Sequence, residues 1–226
     1  MLNLQCKITV LCAYAFILML PQIAYANDAF IRNTIENFSL NGLSLKSSMQ
    51  DVDDYITNHP TPLKCKVTEG RMADPADYIQ HYPVKNWSCF NAGGEAKYRL
   101  KIEAVDQKIS IIAFNASGKS DRFTRIQEGL ETINKTLLDM GMKHNQDINA
   151  NDVFLYRNDS ITPNYLDVKF RLSTENSCKR FDKSDGKTVS NLSADIRKIN
   201  GSYIIDLNIS NGLAHTCGER YYNSKP

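Results

Sequence analysis

The residues whose spacing comes nearest to a known chemistry lie in Ala113–Ser120, AFNASGKS. The segment follows an apolar stretch and opens a helical pattern, the order in which a phosphate-binding loop occurs. In such a loop backbone N–H groups and Lys119 would surround phosphates, and Ser120 would reach magnesium. Ala113 stands where the first glycine is required, and the preceding strand reads as one arm of an antiparallel hairpin. The bland alternative is a turn containing Gly118, with Ser120 capping the next helix. Ser184 and Lys187 have the spacing of a serine acyl-transferase pair. Asp185-Gly186 marks that segment as a loop, and no SDN or KTG partner triplet occurs.

Metal chemistry finds little support. His59, His81, His144 and His215 are scattered, and the cysteines show no CxxC-like spacing. Asp182, Ser184 and Asp185 resemble a calcium loop, but Gly186 comes one position early. Neither HExxH nor GxSxG appears, although a triad assembled from distant residues leaves no local spacing to read. No cofactor is expected. Asp51, Asp53 and Asp54 read as a solvated first helical turn favoured by the helix dipole. Asn-x-Ser/Thr recurs at Asn37, Asn86, Asn115, Asn134, Asn158, Asn191, Asn200 and Asn208. Several of these fall inside expected strands or a helix, where glycan acceptors are not expected.

Two surfaces remain as binding candidates. The first is a segment without clear period, Thr68–Lys85, read as a long loop carrying Tyr78, Ile79 and Tyr82. Long loops in compact domains tend to be functional, and Tyr is favoured at contacts. The second is the wet face of a strand, where Lys97, Arg99 and Lys101 alternate with apolar residues; Lys169 and Arg171 do the same further on.

The elements that must position these residues follow from periodicity. Phe30, Ile31, Ile35 and Phe38 form a short helical stripe. Ser48 and Asp51 bracket the start of a second helix, lined by Met49, Val52, Tyr55 and Ile56 and ended by Pro60 and Pro62. Phe123, Ile126, Leu130, Ile133 and Leu137 give a long helical stripe that Gly141 ends. Between and after the helices, Tyr98, Leu100, Ile102 and Ala104, then Leu166, Val168, Phe170 and Leu172, alternate with polar residues as one-sided antiparallel strands do. Asn200-Gly201 marks a hairpin. Each half thus reads as a helix followed by four strands. The expected fold is α+β, with two tandem units of one helix packed on a four-stranded antiparallel sheet, over 27–116 and 117–226. One continuous sheet of up to eight strands is the alternative.

Residues 1–26 read as a signal peptide. Lys7 precedes the apolar run Ile8–Leu20, and Pro21 and Ala24-Tyr25-Ala26 follow it. The run is short of the roughly 20 residues a membrane span needs, so no transmembrane segment is expected after cleavage. An uncleaved anchor or lipidation at Cys12 are the competing readings. The chain's formal charge is +2, and the leader removes only Lys7, so bulk charge does not point to nucleic acid. Cys65, Cys89, Cys178 and Cys217 stay in the mature chain, and an even number in an exported protein implies disulfides. Of three possible connectivities, Cys65–Cys89 with Cys178–Cys217 keeps each bridge within one half.

The segment Gly42–Ile56, GLSLKSSMQDVDDYI, resembles the opening of small exported bacterial modules, among them the beta-lactamase inhibitor proteins and small outer-membrane assembly lipoproteins. Leu45, Ser48, Asp51 and Val52 fit that pattern; Lys46 and Ser47 stand where Gly and Met usually do. The resemblance implies a non-enzymatic binding module and assigns no binding residue. The expected protein is periplasmic or secreted, with another protein or an envelope component as partner; an exported hydrolase with a dispersed site is the alternative.

Overall fold

The computed structural model describes residues 29–59, 61–73, 81–91, 95–143, 154–159, 162, 165–174 and 190–211. Residues 1–26, expected to be a signal peptide, and Tyr78, Ile79, Cys178, Cys217 and Ser184–Lys187 lie outside them.

Helix α1 spans residues 29–37, α2 Met49–Thr57 and α3 Asp121–Asp139. Ser48 caps α2 through a reciprocal pair with Asp51, each side chain bonded to the other's backbone N–H. Ser120 caps α3 by accepting from the Arg122 N–H. These pairs satisfy donors that the first helical turn would otherwise leave unbonded. The buried side chains of α3, Phe123, Ile126, Leu130 and Leu137, are members of the expected stripe.

The strands are β1 Leu63–Ala73, β2 His81–Asn91, β3 Lys97–Val105, β4 Lys108–Gly118, β5 Phe154–Asn158, β6 Tyr165–Ser173, β7 Asn191–Ile199 and β8 Ser202–Ser210. They form one eight-stranded antiparallel sheet in the order β1-β2-β3-β4-β8-β7-β6-β5. Each half is a meander following its helix, as its element order indicates. The expectation of two separate four-stranded sheets is corrected: the last strands of the halves, β4 and β8, pair from Ile111↔Ser210 to Gly118↔Tyr203. Joining them there hides two strand edges that separate sheets would leave unpaired.

A further correction follows from pairing. Thr68–Ala73 and His81–Lys85 are not loop but the outer ends of β1 and β2, with Tyr82 opposite Met72. Val67–Arg71 are all exposed, and a strand wet on both faces has no apolar alternation to read. The reverse turns behave as their residues dictate. Asn200 and Gly201 both have positive φ (51° and 80°), as do Asp106 and Gln107 (49° and 63°), the twist that two-residue hairpins favour.

One sheet face is covered by the helices. Trp87 and Cys89 of β2, Leu100 and Ile102 of β3, Ile112 and Phe114 of β4 and their counterparts in β5–β8 join the helical stripes in one apolar cluster. An aromatic series crosses it from Tyr55 through His59, Tyr98, Phe114 and Phe123 to Tyr203, with ring centres 5.2–6.2 Å apart. It links α2 to β8 and so ties the halves together beneath the sheet.

Candidate binding face

The other sheet face carries the polar member of each alternating pair. Register places its side chains in rows across the strands. One row reads Lys64, Phe90, Arg99, Asn115, Asp206, Asp195, Lys169 and Arg157 from β1 to β5. The next reads Lys66, Ser88, Lys101, Ala113, Asn208, Ser193 and Arg171. On the other side of Arg99, Lys97 faces Ser117, then Ile204, Arg197 and Asp167.

Over the junction of the halves the face is concave. A cavity of about 620 Å³ is lined by Lys97, Arg99, Asn115, Ser117, Arg197 and Ile204, with Asp206 as its carboxylate. Its wall includes Asn91, whose amide donates to the Ala96 carbonyl and whose Oδ1 accepts from the Tyr98 N–H at 2.8 Å. That pair holds the start of β3 against the end of β2. Two expected binding residues, Lys97 and Arg99, therefore share one concavity, and Lys101 lies along the same strand. Tyr82 is half-buried on β2, remote in register from Lys97 and Arg99.

The charges are distributed unequally. In β6 and β7 they oppose each other: Asp167 faces Arg197, and Lys169 faces Asp195. Arg197 Nε also stands 3.8 Å from Asp195, and in β5 Arg157 Nε lies 2.5 Å from Asp159. In β1 and β3 the cations Lys64, Lys66, Lys97, Arg99 and Lys101 have Phe90, Ser88, Ser117, Asn115 and Ala113 as cross-strand neighbours. Among the described residues none of these cations is in an ion pair. Lysine on an edge strand discourages sheet-to-sheet aggregation, which accounts for Lys64 and Lys66 on β1. It does not account for β3, which is paired on both sides.

The other sequence candidates resolve into scaffolding. Ala113–Gly118 is strand, and Ser120 caps α3. Gly118 has φ 114°, and a Cβ there would stand 2.2 Å from the Glu95 carbonyl oxygen. The backbone geometry by itself requires that glycine. The Cys65–Cys89 disulfide is present, between residues directly opposed in β1 and β2. Asn86, Asn115, Asn158, Asn191 and Asn208 lie in strands and Asn134 in α3. Among the described residues no group of three or more His, Cys, Asp or Glu side chains could hold a metal ion. No helix among them is long and apolar enough to cross a membrane.

Asp53 departs from the solvated-turn expectation. It accepts from the Trp87 indole N–H at 2.9 Å and meets Lys85 at 3.5 Å, while that ammonium sits 4.7 Å above the Trp87 ring. The group fastens α2 to β2.

A second cluster also had no local signal. Arg122 Nη1 donates to His59 Nε2 at 2.7 Å, His59 Nδ1 is 2.7 Å from the Thr61 carbonyl, and the Tyr98 hydroxyl is 2.8 Å from Nε2. These partners assign the proton to Nδ1. Burial pushes His59 below the usual imidazole range, the Thr61 bond opposes that, and the Arg122 charge adds to it. Burial likewise raises Tyr98 to about 12. The cluster holds a neutral imidazole between an α3 residue and the end of α2. The Asp53 pair is 34 residues apart in sequence and the His59–Arg122 pair 63, so only an alignment of covarying positions would point to them.

No protein-family model matches the chain, and neither does any curated protein or solved structure.

Proposed function

We propose that this chain is an exported, disulfide-containing, non-catalytic binding protein of a bacterial envelope or secretome, and that it docks its partner on the outer sheet face of β1–β3. The observation that carries the reading is the ladder of uncompensated cations on β3, an interior strand. Like charges about 6.8 Å apart along one face of a strand repel one another, and a partner of opposite charge removes that repulsion. The concavity beside the ladder offers cations, amides and a hydroxyl, with the Asp206 carboxylate on β8, a set suited to holding a polar surface. The Cys65–Cys89 bridge fits an oxidising compartment, periplasmic or extracellular. The resemblance of Gly42–Ile56 to exported binding modules points the same way.

The test is comparative capture. The oxidised protein and its K97E/R99E/K101E variant are used as baits in the native envelope or medium. The expected result is a partner retained by the first bait and lost from the second, whose circular dichroism stays unchanged. Equal recovery by both would remove the face from consideration.

A further inference from the structure

Resting on that reading, we infer that the occupant of this face is an extended acidic run of polypeptide lying in the trough between the β1 and β3 cations. The trough is set by the register. Lys64 and Arg99 flank Phe90, and Lys66 and Lys101 flank Ser88. The long cationic side chains of β1 and β3 form two walls, and β2 supplies the floor. The walls stand two strand spacings apart, about 9.6 Å. Along each wall successive cations are two residues apart, about 6.8 Å in an antiparallel strand.

An extended polypeptide has that same repeat: its alternate side chains point to opposite sides about 6.8 Å apart. A contiguous Asp/Glu run in the trough sends one alternate set toward Lys97, Arg99 and Lys101 and the other toward Lys64 and Lys66. Every acid then meets a cation, and Glu103, the next outward residue of β3 and opposite Asn86, bounds the cationic stretch at that end. A helix would be a poor occupant, because its same-face positions lie three and four residues apart. Phe90, 49% exposed on the floor, gives the peptide's methylenes an apolar contact. Single-stranded nucleic acid binds instead by stacking successive bases on successive aromatics, and the described floor offers Phe90 with Ser88 and Asn86 beside it.

Fluorescence anisotropy with the full oxidised chain tests this. The probes are a labelled peptide with six consecutive glutamates, a peptide with six glutamates each separated by three glycines, an oligothymidylate and an oligogalacturonate of equal charge. The contiguous peptide is expected to bind about tenfold tighter than the dispersed one and tighter than both other polymers, with affinity falling as salt rises. K97E/R99E/K101E, and the milder K97Q/R99Q/K101Q, should lose at least about tenfold. R157E/K169E/R171E, on the far half of the same face, should lose less than about threefold.

Tighter binding of the oligonucleotide or oligogalacturonate, still lost in the β3 variants, would overturn the polypeptide while leaving the face as a docking surface. Equal binding of the two glutamate peptides, or no binding of either, would overturn the extended acidic run. Binding undiminished in both β3 variants would overturn the face as well.

Discussion

Strands β3 and β7 hold the same place, each third in the meander of its half. Their inward rows are alike: Leu100, Ile102 and Ala104 in one, Leu192, Ala194 and Ile196 in the other, all buried. Their outward rows are not. β3 presents Lys97, Arg99 and Lys101, with Glu103 at its end; β7 presents Ser193, Asp195 and Arg197, with Asp195 and Arg197 facing opposite charges on β6. The inward rows answer to a demand both halves share, burying one sheet face under helices. The outward rows face no such demand: the β7 charges meet opposite charges on β6, although Asp195 also faces Asp206 of β8, whereas the β3 cations Lys97, Arg99 and Lys101 have no carboxylate directly across, and that difference marks an addition. The same contrast separates two uses of charge, as a cross-strand pair that stabilises a sheet and as a field left open for a partner.

The shared interior can be broken first. Phe123 packs against Phe114 of one half and Tyr203 of the other, with ring centres 6.2 and 6.0 Å away. Phe123→Ala should cost about 3–5 kcal/mol and lower a single thermal transition for the whole molecule. Two separated transitions in calorimetry would mean that the halves do not share a core, and β3 and β7 could then differ for reasons of their own.

A smaller effect sharpens the tie between halves. His59 is held neutral, and its folded pKa lies below the ordinary 6.5. Above pH 6.5 folded and unfolded chains are both neutral there, and the contribution is fully present. As pH falls through the window beneath 6.5, the unfolded chain takes up the proton first, so stability is lost. Protonation also removes the acceptor that Arg122 uses. The melting temperature of the native chain should drop between about pH 7 and about pH 5 by more than that of a His59→Gln variant. Parallel pH profiles would show that the cluster is not an acid-sensitive tie.

Legibility followed the range of the interactions. The alternation in Lys97–Val105 and Tyr165–Ser173, the stripe of Asp121–Asp139 and the Asn200-Gly201 hairpin are local, and each emerged where its pattern lies. Thr68–Arg71 leave no trace because a strand segment exposed on both faces has no apolar period. The β4–β8 pairing joins segments remote in sequence, so local pattern offers the continuous sheet only as an alternative. Lys97, Arg99 and Lys101 were visible as the wet side of a strand. That they lack acidic neighbours was not, since register across β1–β4 decides it.

Acetylation footprinting of the lysines compares the two halves of the face directly, with the oxidised protein alone and bound to the partner it captures. Lys64, Lys66, Lys97 and Lys101 should become protected by about tenfold or more, while Lys169 on the second half and Lys135 on α3 react as before. Protection centred on Lys169, or none at Lys97 and Lys101, would contradict docking on the β1–β3 face.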